Sequence, residues 1–330
     1  MSTYSQIFGG KVNVVASDPS NPINGQTWYN STTKVLKFRE TSVIGTWAAG
    51  GTMGTARYTL AGAGTQTAGL GFGGSTATGA TASTEEYDGT SWTAGGNLAT
   101  ARIRIAGTGT QTSALAFGGY IAGGAGTFSN ATEEYDGTSW TGGGNLATGR
   151  YGPGNAGTQT AGLAFGGYIV TNLATVATEE YNGTAWTGGG NLGTAIYSPG
   201  GAGTQTSALS FGGATYPPKV AVNNTAEYDG SSWTAGGNLG TARMQLGGVG
   251  TQTAALGFGG GTPSTASTLT EEYNGSSWTA SGNMLIAKVA LGGAGTQTAG
   301  LAFAGNFPVT ATTEEYSPAG TQTTKTVSAT

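Results

Sequence analysis

Apolar, small and turn-forming residues follow one another on a schedule that repeats along most of the chain. From Arg57, RYTLAGAG is rich in small residues, GTQT reads as a turn, and AGLGFGG puts Leu70 and Phe72 on one face by the two-residue period of a strand. After a loop comes TEEYD. Asp88-Gly89 then has the composition of a tight hairpin turn with positive φ, and Ser91, Trp92 and Thr93 read as the last strand. One repeat therefore predicts four antiparallel strands. The turn dipeptide recurs as Asp136-Gly137, Asn182-Gly183, Asp229-Gly230 and Asn274-Gly275, while the final copy has Ser317-Pro318.

Three ladders keep this schedule. Trp47, Trp92, Trp140, Trp186, Trp233 and Trp278 stand 45, 48, 46, 47 and 45 residues apart. GTQT starts at Gly64, Gly109, Gly157, Gly203, Gly250 and Gly295 with the same spacings, and Tyr87, Tyr135, Tyr181, Tyr228, Tyr273 and Tyr316 end the E-E-Y segments. A period of this length with four strands per copy is that of a β-propeller blade. No Trp follows Tyr316, so the last copy lacks a fourth strand, and the unassigned segment around Trp47 can supply it. That joint predicts an all-β, six-bladed propeller closed by an N-terminal strand, because an open ring would leave edges and blade faces uncovered. The expected organisation is an N-terminal β-hairpin segment over 1–45, the propeller over 46–317 and a tail over 318–330. A further GTQT at Gly320 falls outside the register.

The repeat resembles the kelch repeat: Arg57, Gly73-Gly74, Tyr87 and Trp92 and their equivalents stand where that family has an Arg, a Gly-Gly strand end, a Tyr and a Trp. The resemblance implies the fold and, more loosely, a binding platform, since fold does not fix function. The Trp and Tyr ladders are expected to pack blade against blade. The Gly/Ala-rich first strands are expected nearest the axis.

Composition narrows the chemistry. Gly numbers 64 of 330 residues, but the apolar schedule argues against disorder. Net charge is −4, which gives no basic footprint for nucleic acid. With no Cys and no His, disulfides, thiol chemistry, Ser-His-Asp triads and His metal sites are excluded. Nearly every Arg and Glu sits at a repeat position, and the two Glu of each E-E-Y point to opposite strand faces, unlike paired catalytic carboxylates. No enzyme activity, cofactor or metal is expected. MSTYSQIFGG has no signal-peptide pattern, and no apolar run reaches the length of a spanning helix.

The charged columns suggest structural ion pairs: Arg57 with Glu85, Arg102 with Glu133, Arg150 with Glu179, Arg243 with Glu271, and Lys288 with Glu314. The fourth copy has Ile196 for the cation and Ala226 for the acid. Joint loss is what a mutually neutralising, semi-buried pair predicts, because either charge alone is costly.

Sequence variation concentrates in the second-to-third loops, expected on the face opposite GTQT and Asp-Gly. These loops carry Tyr120, Ile121, Phe128, Tyr168, Ile169, Tyr216 and Phe307, aromatic and apolar side chains suited to stack on sugars or anchor a protein. The competing reading is that they cover blade edges or meet a neighbouring subunit.

Residues 20–46 complete the picture. Pro22, Gly25, Trp28, Tyr29, Asn30, Thr32, Leu36 and Lys37 resemble a small β-module of tail fibres and other virion proteins of tailed phages, with strands expected over Gln26–Tyr29 and Val35–Arg39. The repeats also resemble those of marine phage proteins, cyanophages especially. These resemblances imply a virion structural protein, attached to other virion proteins through its N-terminal segment and compatible with a homo-oligomer. Its propeller would recognise a host-surface glycan or protein, with no nucleic acid and no membrane insertion. The alternatives are a decoration or adaptor protein without receptor, and a secreted lectin or adhesin.

Overall fold

The computed structural model describes residues 12–20, 22, 26–41, 44–122, 127–169, 173–320 and 322–327. Gly25 and parts of two variable loops, 123–126 and 170–172, lie outside them. All regular structure among the described residues is β. The chain forms two compact units, Trp47–Tyr316 and Met1–Thr46 with Ser317–Thr330.

In the larger unit one sheet pattern recurs. Ala61–Gly64, Gly69–Phe72, Thr84–Tyr87 and Trp92–Ala94 pair antiparallel in that order. Four more sheets of the same order begin at Ala106, Gly154, Gly200 and Gly247. The sixth takes Gly292–Thr296, Ala299–Phe303 and Thr313–Ser317 from the C-terminal end and Thr46–Ala49 from the N-terminal end. Below, the sheets are numbered one to six from these first strands. The second strands supply the core: Leu70 and Phe72 and their equivalents are fully buried. The first strands of adjacent sheets nearly touch. A Cβ on Gly62 would lie 2.4 Å from Gly293 O, and one on Gly201 would lie 2.2 Å from Asn155 O, so larger residues are barred there.

Each sheet is tied to the one before it by the same groups. Gln111 Nε2 donates to Gly69 O (3.0 Å) and Tyr87 O (2.7 Å), and Gln66 Nε2 donates to Gly300 O (3.0 Å) and Tyr316 O (2.7 Å), from sheet one to sheet six. Trp140 Nε1 donates to Thr84 Oγ1 (3.0 Å) while its ring lies 4.8 Å from Phe72; Trp92 makes the corresponding contacts with Thr313 (2.9 Å) and Phe303 (4.9 Å). The Trp ladder thus joins apolar faces of adjacent sheets and satisfies its own N–H. The second Glu of each E-E-Y accepts from a neighbouring Tyr, as in Tyr87 Oη to Glu315 Oε1 (2.6 Å) and Tyr135 Oη to Glu86 Oε1 (2.6 Å).

A backbone ring links the sheets just before their first strands. Arg104 N donates to Thr59 O, Gly152 N to Arg104 O, Ser198 N to Gly152 O, Gln245 N to Ser198 O, Ala290 N to Gln245 O and Thr59 N to Ala290 O, all at 2.7–3.0 Å. The six residues have φ between 51° and 58°, and five of them are not glycine. Left-handed backbone is unfavourable for L-residues, for Thr59 most of all, so the ring is held by its mutual hydrogen bonds and by the strands on either side.

The variable loops carry short ribbons. Examples are Ser75–Thr76 with Gly79–Ala80 and Tyr120–Ile121 with Thr127–Phe128. Two-residue ribbons are too short to show a period in sequence.

In the smaller unit, Thr27–Asn30 and Val35–Thr41 form a hairpin, and Asn13–Val15 lies parallel to the first of them. Asp18 binds the module together. Its Oδ1 accepts from Trp28 Nε1 (3.1 Å) and Asn30 Nδ2 (2.8 Å), and its Oδ2 meets Lys37 Nζ at 2.6 Å. These bonds hold the Asp18 carboxyl down at about 2, those from Asn30 and Lys37 leading. The motif residues Trp28, Asn30 and Lys37 thus share one acceptor, which the sequence reading did not single out. The C-terminal segment is not a separate tail: Gln322–Val327 pairs antiparallel with Val35–Thr41.

Candidate functional site

The residue after the repeat-cation position pairs with the residue after Gly-Gly, giving Tyr58 with Ser75, Ile103 with Tyr120, Tyr151 with Tyr168 and, after Ile196, Tyr197 with Ala214. Each of these four pairs has at least one tyrosine, and the third has two. Cross-strand pairing then sets the rings side by side. Phe128 stacks on Tyr151 (5.4 Å, 8°), Tyr151 meets Tyr168 (5.0 Å), and Tyr168 meets Tyr197 (5.5 Å) and Tyr216 (5.1 Å). Tyr120 packs edge-on against Phe128 at 5.7 Å.

The structure therefore brings Tyr120, Phe128, Tyr168 and Tyr216 into one cluster. Tyr216 is 37% exposed, whereas Tyr168 is only 9% exposed and forms part of the packing beneath the loops. Ile121 and Ile169 are half-buried ribbon residues opposite Thr127 and Leu173. Phe307 stands apart on the sixth sheet's loop, 53% exposed. Tyr151 and Tyr197 belong to the cluster but escaped the sequence reading, because they lie in the fourth-to-first connections rather than the variable loops. Their signal was the column itself, which runs Tyr58, Ile103, Tyr151, Tyr197, Met244 and Val289.

A cavity of about 290 Å³ opens on this cluster, lined by Ile103, Arg104, Tyr120, Phe128, Tyr151 and Tyr168. Arg104 lies over the Tyr151 ring, its Cζ 5.3 Å from the centroid. With the Gln245 carboxamide turned so that its oxygen faces the guanidinium, that oxygen accepts from Arg104 Nη1 at 2.5 Å and Nη2 at 3.1 Å. Burial pushes the Tyr197 hydroxyl up to about 12, and burial also raises Tyr151, against the pull of Arg104. At neutral pH these phenols stay protonated and can donate hydrogen bonds.

The repeat cations sit elsewhere. Arg57, Arg102 and Arg243 meet Glu85, Glu133 and Glu271 at 2.6–2.9 Å, Lys288 meets Glu314 at 2.9 Å, and Arg150 pairs with Glu179. All five cations are buried inside their own sheets. Burial lowers the Lys288 pKa, and Glu314 opposes the shift. These groups brace the strands and do not line the aromatic pocket. In sheet four, Ile196 and Ala226 instead line a cavity of about 130 Å³ where the buried Ser210 Oγ has no partner.

No family model and no curated protein matches the chain. Among solved structures it is similar to that of YjhT, with a TM-score of 0.66 and 11% identity over 81% of this chain and 96% of that one. At this identity the likeness is one of fold: the chain has a β-propeller-like, all-β architecture.

Proposed function

We propose that this chain is a virion structural protein of a tailed phage. The six sheets are the blades of a closed, kelch-like propeller, the smaller unit attaches it to the particle, and the face bearing the variable loops recognises a host-surface glycan or protein. The backbone ring that returns from Ala290 to Thr59, together with the Gln66 bonds to sheet six, supports closure. The bonds that Asp18 makes with Trp28, Asn30 and Lys37 support a folded attachment module.

The observation that carries recognition is the continuous aromatic cluster beside a cavity, on a face where the scaffold is regular and the loops are not. Aromatic side chains offer large rigid contact area at small entropic cost, and loops on a rigid frame can vary without disturbing it. The deep burial of Tyr168 favours a second reading, in which the cluster only seals the sheet edges of a decoration protein. Binding of the purified chain to candidate host cells separates the two. Tyr216→Ala and Tyr120→Ala, each checked for an unchanged melting profile, reduce binding at least tenfold under the recognition reading. Folded variants that bind as well as the parent chain, or a parent chain that does not bind, favour the decoration protein.

A further inference from the structure

The larger unit holds seven cations, Arg57, Arg102, Arg104, Arg150, Lys219, Arg243 and Lys288, and five of them are in the ion pairs described above. The other two, Arg104 and Lys219, are in none of the salt bridges among the described residues. Every acidic residue of this unit lies in an E-E-Y-type segment or the turn that follows it. The first Glu takes the buried cation and the second takes a Tyr hydroxyl, while Asp88, Asp136 and Asp229 accept backbone N–H groups of their own turns. The variable loops therefore carry no carboxylate, in a protein whose net charge is −4.

The charge of Arg104 adds to burial in lowering the Lys219 pKa, although Lys219 is exposed. Like charges with no counterion raise the local potential and favour an anion. Arg104 is held in place by the Gln245 oxygen and by the face of Tyr151, so its ordering is complete before any ligand arrives. Beside it, the cavity of about 290 Å³ is near the lower limit of small-molecule sites, with room for a sugar residue against Tyr120, Tyr151 and Tyr168.

We propose that this pocket binds an acidic sugar residue, whose carboxylate or sulfate is held by Arg104, with the charge of Lys219 adding to the attraction, and whose ring face lies on the tyrosines. The proposal rests on the recognition reading above and names its ligand class. A guanidinium matches the paired oxygens of a carboxylate or sulfate, while the Tyr hydroxyls serve the sugar's oxygens.

The test is a panel of oligosaccharides of matched length: uronate-bearing, sulfated and neutral. It is read by titration calorimetry with the full chain and alongside host-cell binding. The parent chain should bind a uronate or sulfated member at least tenfold more tightly than any neutral one, and the preference should fall as salt rises. The uronate and sulfate arms show which anion is preferred. Arg104→Gln should lose at least tenfold for acidic members and less than threefold for neutral ones, with Arg104→Lys recovering part of the loss. Lys219→Gln, at an exposed position that leaves the fold intact, should lose severalfold. Equal binding of acidic and neutral members overturns the acidic-sugar proposal and leaves recognition standing, as does host-cell binding with no acidic member bound. Absence of both cell and saccharide binding overturns both.

Discussion

Replacing Arg102 by Met removes a charge from a fully buried site while keeping most of the side chain's length. Arg102 donates to Gly118 O (2.8 Å), Ala131 O (2.8 Å) and Glu133 Oε1 (2.6 Å), and Glu133 Oε2 accepts from Ala99 N (2.7 Å). Met leaves the Gly118 carbonyl unpaired, the Ala131 carbonyl with only the Gly118 N–H (3.1 Å), and Glu133 without its counter-charge. Breaking a buried pair in this way costs about 3–5 kcal/mol. For a unit of this size, each kcal/mol lowers Tm by about 2 °C, so a fall of about 6–10 °C is expected. The double variant Arg102→Met/Glu133→Gln should recover about 2 kcal/mol of the loss. The Arg102 Nε–H has no acceptor, so the native pair is not fully satisfied and an uncharged replacement is less harmful than half a pair. Urea and thermal unfolding of the four-member cycle give the coupling directly. A single variant that loses less than 2 °C, or a double variant whose loss equals the sum of the singles, would refute mutual neutralisation.

The fourth sheet invites the reverse experiment. Ile196→Arg and Ala226→Glu should each destabilise alone by about 1–3 kcal/mol, whereas together they should approach or exceed the parent in urea unfolding, since the cavity of about 130 Å³ there has room for the pair. Tyr87, Tyr135, Tyr181, Tyr228 and Tyr273 are raised to about 12, by burial first and then by the neighbouring Glu. A raised folded pKa gives stability that is full below the ordinary tyrosine value near 10 and is lost as pH rises through 12, so alkaline unfolding followed by circular dichroism should be steep across that window. Asp18, Asp136 and Asp229 are lowered to about 2, so their contribution is present above pH 4 and lost as pH falls through 2. Asp18→Asn should flatten the acid limb of the Trp28 fluorescence signal, and an unchanged limb would place the acid transition elsewhere.

The repeat was legible because its markers serve packing that every copy needs. Trp140 and its equivalents must span two sheets and satisfy one N–H, so their spacing could not drift. The glycines of the first strands follow from backbone contacts too close for a Cβ, as at Gly62 and Gly201. The link between Arg102 and Glu133 was readable because one copy lacks both groups. Contacts between copies were harder to read. Tyr135 reaches Glu86 of the preceding sheet, and a pattern defined within one repeat says nothing about which neighbour supplies the acceptor.

The site was legible in part. Tyr120, Phe128, Tyr168 and Tyr216 stood out because their loops vary. Tyr151 and Tyr197 did not, because each is one substitution in an otherwise ordinary strand entry. The approach of Arg104 to Gln245 joins sheets two and five, a contact that depends on how the sheets are arranged rather than on local pattern. Asp18 lies outside the motif whose residues it holds. The strand Gln322–Val327 was hidden by its resemblance to a displaced GTQT and by a threonine-rich composition without apolar alternation.

If the proposed virion role holds, recognition through the loop face is tested most directly by cryo-electron microscopy of a phage particle shown to carry this chain. The face bearing Tyr216 and Arg104 should point to solvent, away from every other virion protein, with the Trp28 module at the attachment point. Finding that face buried against another virion protein would contradict recognition and leave a structural role in the particle.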